Sequence, residues 1–139
     1  MSHSLIITLL IAFPSASLIS GIIYISNLKR FVDTTPRIET NQDLELFKNV
    51  VRHQMYAALL QIVLLGTPII IFTYGTISGI LEFGDVLYVV IPNLIVIIVS
   101  RILRKTEKKA QSISASTPQL VSAVSSIVYS WENKALPDW

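Results

Sequence analysis

The sequence predicts an all-α integral membrane protein with three transmembrane helices, a cytoplasmic extension of the second helix and an amphipathic helix near its end. Of its 139 residues, 52% are hydrophobic and 14% are charged, whereas soluble domains average roughly 45–50% apolar and 25% charged residues. Segments 1–28, 53–81 and 86–100 contain no Asp, Glu, Lys or Arg. This distribution excludes a soluble enzyme. Because there is no cysteine, a disulfide scaffold and a thiolate metal site are also excluded.

Each charge-free segment can supply one membrane span. A spanning helix needs about 20 mainly apolar residues, and the third segment reaches that length when its flanking residues are included. A secretory signal would compete for the first segment, but the basic start is missing and the apolar stretch exceeds a signal core of about 7–15 residues. We therefore predict a transmembrane bundle over residues 1–109, with spans near 4–27, 55–79 and 83–103, and a tail over 110–139.

The positions of the basic residues predict the orientation of the chain. Of the 11 Lys and Arg residues, five lie between residues 29 and 52, and the other six follow residue 100. Basic residues are retained on the cytoplasmic side of a membrane. The N-terminus is therefore expected outside, and the first loop and the tail inside. The expected location is a bacterial-type inner membrane or an organellar membrane.

Local signals set the expected ends of the elements. Thr40 can cap the second helix, and Asp43 lies where an acid favours the first helical turn, so this helix is expected to begin well before the bilayer. Residues 31–39 are expected to form an extended connector, and 112–116 a linker. Asp85 is the expected N-cap of the third span.

The tail has the pattern of an amphipathic helix over about 118–131, which begins with Thr117 as N-cap and Pro118 as first helical residue. Its polar face is rich in serine and lacks Lys and Arg, whereas helices that lie on anionic lipid carry a basic polar face. Docking on protein, either the chain's own bundle or a partner, is therefore favoured over a lipid surface. Trp131 and Trp139 could anchor an interface in both cases. The candidate docking face consists of Leu120, Val124, Ile127, Val128 and Trp131.

Each predicted span carries a proline near its middle, and each proline has a polar neighbour. Proline frees the carbonyl oxygen four residues earlier, and in lipid such a group needs a partner. The polar neighbours are expected to supply it. The pattern is compatible with a polar pocket or water path at the bilayer midplane, and also with simple packing of the bundle. The candidate midplane residues are Pro14, Ser15, Gln61, Thr67, Pro68, Pro92 and Asn93.

Small residues recur four positions apart in two places. Ser17 with Gly21 and Gly75 with Gly79 could each bring helix backbones close together. Both pairs are compatible with packing inside the bundle and with association of a second chain.

A basic cluster borders the third span. Such clusters attract anionic lipid headgroups or an acidic partner, although fixing the orientation also explains this one. Nucleic-acid binding is not expected at a net charge of +2. The cluster consists of Arg101, Arg104, Lys105, Lys108 and Lys109.

Residues with catalytic or ligand-binding potential are few. His3 and His53 are expected on opposite sides of the bilayer, so they cannot share a metal or haem within one chain, and no cofactor is predicted. The nucleophile-elbow, P-loop and zinc-protease motifs do not occur. No ionisable residue lies at membrane depth, which argues against charge-coupled transport.

Three functional hypotheses remain. The first is a small non-enzymatic accessory or assembly subunit of a larger membrane complex, whose partners are lipid and other membrane subunits or further copies of itself. The second is a homo-oligomeric passive pore lined by the neutral polar residues beside the prolines. An intramembrane enzyme or cofactor-binding protein has the least support, since nothing in the sequence orients a reaction.

Overall fold

A computed structural model describes residues 2–139, and 83% of the chain is helical. Three of its helices, the third counted with the 3-10 turn before it, are long and apolar enough to span a membrane. Within the described residues the elements are α1 (His3–Thr34), β1 (Arg37–Ile38), α2 (Asn41–Ile77), a 3-10 turn (Phe83–Val86), α3 (Leu87–Gln111), β2 (Ser114–Ala115) and α4 (Pro118–Asn133).

The first helix is longer than its apolar segment. α1 continues to Thr34, so the expected extended connector over 31–39 is wrong for residues 31–34. Phe31 and Val32 are buried in a hydrophobic core, and the Thr34 hydroxyl donates a hydrogen bond to the Arg30 carbonyl at 2.9 Å. Burial of these apolar side chains favours one more helical turn over an extended backbone.

The predicted caps of α2 and α4 are confirmed. The amide of Asp43 donates to the Thr40 hydroxyl at 3.1 Å, and the amide of Thr40 donates to the Asp43 carboxylate at 2.9 Å. The Thr40 hydroxyl, followed by the backbone amides of Glu39 and Thr40, holds the pKa of Asp43 below its usual value. At α4, the Thr117 hydroxyl accepts a hydrogen bond from the Leu120 amide at 3.3 Å. Both caps satisfy amides that a helix start leaves free.

The predicted role of Asp85 as N-cap of the third span is wrong. Glu82 occupies the cap position of a 3-10 turn, and α3 begins only at Leu87. The Asp85 carboxylate instead reaches back to accept a hydrogen bond from the Glu82 amide at 2.9 Å. Its second contact is His3, whose Nε2 lies 3.1 Å from the same oxygen. Asp85 therefore ties the start of α1 to the turn between α2 and α3.

The chain divides into two compact units, and α1, α2 and α3 each contribute residues to both. The first, called the apolar unit below, contains the chain up to Gly21 and Leu60–Ile102. Its buried cluster comprises Ile6, Leu10, Leu81 and Val89. The second, called the tail unit, contains Ile22–Leu59 and Leu103–Trp139.

The core of the tail unit is built around two stacked rings. Phe31 and Phe47 lie 5.8 Å apart between ring centroids, and Phe47 is fully buried. Residues of the first loop and of the tail lie together in this core. If the three helices span a membrane, these two segments lie on the same side of it, and which side that is stays a prediction. The segment expected to be a linker contributes β2, whose Ala115 pairs in parallel with Ile38 of β1.

Replacing Phe47 by Ala is expected to destabilise the tail unit by about 3–5 kcal/mol, since it removes a fully buried ring and leaves a cavity. Leu46→Ala is the matched control, because its side chain is 48% exposed. Denaturant unfolding in mild detergent, followed by tryptophan fluorescence, measures both variants, since Trp131 and Trp139 pack against this core. Equal losses in the two variants would contradict the described core.

Candidate functional site

An apolar groove lies between α2 and α3 in the apolar unit. Its volume is about 620 Å³. On α2 the lining positions recur three and four residues apart, as in Ile62, Gly66 and Ile69, which places them on one helix face. The lining residues are Ile62, Leu65, Gly66, Ile69, Val89, Val90, Asn93, Leu94 and Ile97.

Gly66 opens the α2 wall of the groove. In the part of the chain that the structure describes, a Cβ at Gly66 would meet no heavy atom within 4 Å apart from its chain neighbours and the adjoining backbone of its own helix. A glycine in such an open place leaves backbone accessible to anything that enters the groove. Small residues of this kind are typical of close helix–helix contacts in membranes.

Asn93 is the one polar side chain in the groove wall. Its amide nitrogen donates a hydrogen bond to the Val89 carbonyl at 2.8 Å, within α3. An asparagine amide has two N–H donors and an oxygen acceptor. Within residues 2–139, the second N–H and the oxygen make no hydrogen bond. Asn93 is half-buried and lines the groove, whose surface is nevertheless almost entirely apolar.

The expectation that the polar neighbours satisfy the carbonyls freed by proline is wrong. Proline frees the carbonyl four residues earlier, which here belongs to Leu10, Leu64 and Tyr88. Each polar neighbour instead donates to the carbonyl four residues before itself. Because the neighbour lies one position from the proline, this carbonyl is not the one that the proline frees. The observed bonds run from Ser15 to Ile11 at 2.8 Å, from Thr67 to Val63 at 2.7 Å and from Asn93 to Val89 at 2.8 Å.

The candidate midplane residues do not gather at one site. Pro14 and Pro68 are buried, whereas Pro92 is half-buried. Gln61 lies against α1, where a Cβ added at Gly21 would be 2.5 Å from its Nε2. Gly21 thus makes room for the Gln61 side chain, while close approach of helix backbones at Ser17 and Gly21 stays a prediction. Among the described residues, Gln61 and Asn93 do not line the same groove.

The second small-residue pair does not act as a helix-packing motif. Gly79 lies beyond the end of α2 and has a φ of +67°, a conformation that suits glycine after a helix. A Cβ at Gly75 would lie 2.7 Å from Cδ1 of Leu81, so Gly75 makes room for the chain returning after the turn. The interpretation of Gly75 and Gly79 as one helical motif is therefore wrong.

The apolar face of α4 is covered by the chain itself. Leu120, Val124 and Ile127 are buried in the tail-unit core, and Val128 and Trp131 pack against it in half-buried positions. Trp139 packs there too, and the Arg52 guanidinium donates to its carbonyl oxygen at 3.0 Å. The face thus docks on the chain's own helices and is not free for a partner.

The basic cluster is exposed to solvent. Among its members, Lys109 lies with its Nζ 3.5 Å from Oδ1 of Asp33. The two histidines lie in different units, His3 beside Asp85 and His53 with Nδ1 2.7 Å from the Asn49 carbonyl. Within residues 2–139, no three His, Asp or Glu side chains are placed to hold a metal ion. The cluster members are Arg101, Arg104, Lys105, Lys108 and Lys109.

The fold and the groove define a class: a small helical protein with three helices able to span a membrane. No family model, no curated protein and no solved structure matches the chain. Sequence reasoning singled out Asn93 but missed the apolar positions around it. Gly66 is the one sequence signal that could have indicated the α2 side of the groove.

Replacing Gly21 by Leu is expected to destabilise the bundle by about 1 kcal/mol, at the low end of overpacking, because the flexible amide end of Gln61 must move away from the new side chain. Gly66→Leu is the matched control, since it faces open space and both variants gain similarly in helix propensity. Thermal unfolding in mild detergent compares them. Adding Gln61→Ala to Gly21→Leu should restore part of the loss. Equal tolerance of both single variants would contradict the close approach.

Proposed function

We propose that this protein is a small non-enzymatic accessory or assembly subunit of a larger membrane complex, and that it acts through helix packing within the bilayer. The observation that carries the proposal is the groove between α2 and α3, in which an incompletely hydrogen-bonded amide lies in an apolar, concave wall. Surfaces of this kind fit another helix better than they fit lipid alone.

The chemistry of the three apolar segments supports this role. They contain no Asp, Glu, Lys or Arg, so they provide no carboxylate, amine or guanidinium for proton or ion coupling. The hydroxyls of Ser15 and Thr67 already donate to carbonyls of their own helices. The segments thus offer packing surfaces more than reactive groups.

The tail unit contributes in a different way from the one the sequence suggested. Because the apolar face of α4 is covered internally, the proposed attachment no longer depends on that face. The exposed basic cluster from Arg101 to Lys109 remains suited to anionic headgroups. In the proposed arrangement the tail unit lies on the cytoplasmic side of a bacterial-type inner membrane or an organellar membrane, and it holds the ends of three spans together.

The homo-oligomeric passive pore has less support. A pore of neutral polar residues needs those residues to face a common path, whereas Gln61 lies against α1 and Asn93 lies in the groove. The two hydroxyls beside the prolines are engaged within their helices. We therefore keep the pore only as the outcome that would contradict the proposal.

The proposal predicts that the full chain, extracted gently from its native membrane, occurs in a heteromeric complex of fixed stoichiometry, as measured by native mass spectrometry. Reconstituted alone in vesicles, it should conduct neither ions nor water above the background of empty vesicles. A homo-oligomer with a flux that Asn93→Leu changes would contradict the proposal and favour the pore. Ala12→Leu, an exposed position on α1, serves as the control for a change in helix surface.

A further inference from the structure

We infer that one face of α3 binds the phosphate groups of anionic phospholipids in the membrane leaflet beside the tail unit. This basic face consists of Arg101, Arg104, Lys105 and Lys108. The inference rests on one part of the proposed function, the place of the tail unit beside a bilayer, and it needs no partner protein. Three properties of the basic face carry it: its alignment on the helix, its lack of acidic partners and its position at the end of an exposed apolar face.

The four side chains of the basic face are exposed and share one side of α3. Arg104, Lys105 and Lys108 follow Arg101 by three, four and seven residues. On a helix of about 3.6 residues per turn, these spacings place all three within about 60° of Arg101. The cytoplasmic bias of basic residues depends on how many a loop contains and not on the helix face that they occupy. Fixing the orientation of the chain therefore does not explain the alignment.

The basic face has no acidic partner in the described part of the chain. Within residues 2–139 its four side chains make no ion pair, whereas other bases of the chain do, as Lys48 does with Glu45 at 2.7 Å. The single acid between residues 101 and 111, Glu107, is half-buried and lies about 120° around the helix from Arg101. The positive charge of this face thus exceeds the negative charge near it, and the face attracts an anion from outside the described chain.

An exposed apolar face leads along α3 to the basic face. Ile91 and Ile98 precede Lys105 by fourteen and seven residues, or about four and two helical turns, so the three side chains lie on the same side. Ile91 is 53% and Ile98 58% exposed, and neither lines the groove between α2 and α3. Where α3 crosses a bilayer, such side chains contact acyl chains. The basic face then emerges among the headgroups of the same lipids.

The rise along α3 matches the depth of a headgroup layer. Arg101 lies two residues before the end of the predicted span 83–103, and Lys108 lies five residues beyond it. At about 1.5 Å per residue, the basic face extends from about 3 Å inside that end to about 8 Å outside it. The headgroup layer on each side of a bilayer is about 5–8 Å thick. Since Lys and Arg have long, flexible stems, all four charged groups can reach this layer.

Phosphate oxygens suit this group of side chains. A guanidinium can hold a phosphate through two parallel hydrogen bonds, and a lysine ammonium adds a compact charge. A soluble phosphate ion fits less well, because exposed side chains provide no enclosed site for it. An acidic protein segment would meet the charges but not the exposed isoleucines that precede them. An anionic phospholipid matches both, since one molecule combines a charged headgroup with acyl chains.

The binding test measures which lipids lie beside the basic face. The full-length protein carries a fluorophore at Ile98→Cys and is reconstituted in phosphatidylcholine bilayers with phospholipids brominated on their acyl chains, which quench the fluorophore. Brominated phosphatidylglycerol should associate about fivefold or more tightly than brominated phosphatidylcholine, as expected when at least one base contacts its headgroup. A fluorophore at Leu60→Cys, which is 41% exposed and lies equally far from the end of its own predicted span, should report a smaller preference. Equal preferences at the two positions would overturn the inference.

Two double variants make this test specific. Arg104→Gln with Lys105→Gln should remove most of the preference at Ile98→Cys. Lys48→Gln with Lys134→Gln removes the same net charge from side chains that already form ion pairs, and it should keep the preference. A preference that persists in the first double variant, or is lost equally in both, would overturn the inference.

The protein without these double substitutions provides a measurement that does not depend on how they fold. Because salt screens exposed charges, about 1 M KCl should bring the two lipids close to equal association. Glycerophosphate at the ionic strength of a dilute KCl control should leave the preference at the level of that control. Loss with glycerophosphate alone would mean that the face binds soluble anions, and a preference insensitive to salt would mean a contact without charge. Each result would overturn the inference.

A photo-crosslinking amino acid at Ile102 separates this inference from the proposed function. Ile102 is 63% exposed and follows Ile98 by about one helical turn. In native membranes the crosslinker should form adducts with anionic phospholipid, and a product with an acidic segment of another protein in their place would overturn the inference. If the heteromeric complex persists in that case, the proposed function stands. A lipid preference in a chain that occurs without partner proteins would instead contradict the proposed function alone.

Discussion

A segment that crosses a bilayer must satisfy its polar groups internally. Several hydroxyls of the apolar unit meet this requirement, whereas the buried Ser17 hydroxyl has no hydrogen-bond partner among the described residues. Backbone groups pair within helices, and the hydroxyls of Ser15 and Thr67 donate to carbonyls of their own helices. Asn93 follows the same rule with one N–H. Its amide, however, has more hydrogen-bonding capacity than one carbonyl can use. The groove is therefore lined by one side chain that retains unused hydrogen-bonding capacity.

The tail unit has a core of its own, which is stabilised by the burial of apolar side chains. The stacked rings of Phe31 and Phe47 join the end of α1 to the start of α2, and α4 covers them with Val124 and Ile127. The pairing of β1 with β2 adds a backbone connection between the first loop and the tail. This core holds together the end of α1, the start of α2 and the end of α3.

The sequence predicts which segments form helices, but it does not predict which faces of those helices contact one another. Charge-free segments and the caps at Thr40 and Thr117 are local signals, and the structure contains both caps. Which face of an apolar helix meets another helix is not a local property, because residues such as Ile62 and Ile97 have the same character as those around them. The extra turn of α1 depends on tertiary burial of Phe31, which no local pattern encodes. Spacing alone misassigns Gly79, because a glycine just beyond the end of a helix can lie four residues from Gly75 just as a glycine inside the helix can.

The central claim is that the three apolar helices cross the bilayer and leave the tail unit on the cytoplasmic side. The chain has no cysteine, so single cysteines at Ser78, in the turn after α2, and at Ser116, beside β2, report the side of each position without background. A membrane-impermeant maleimide added to intact cells should label Ser78→Cys and leave Ser116→Cys unlabelled until the membrane is permeabilised. Labelling of Ser116→Cys in intact cells, or equal labelling of both positions, would contradict the account.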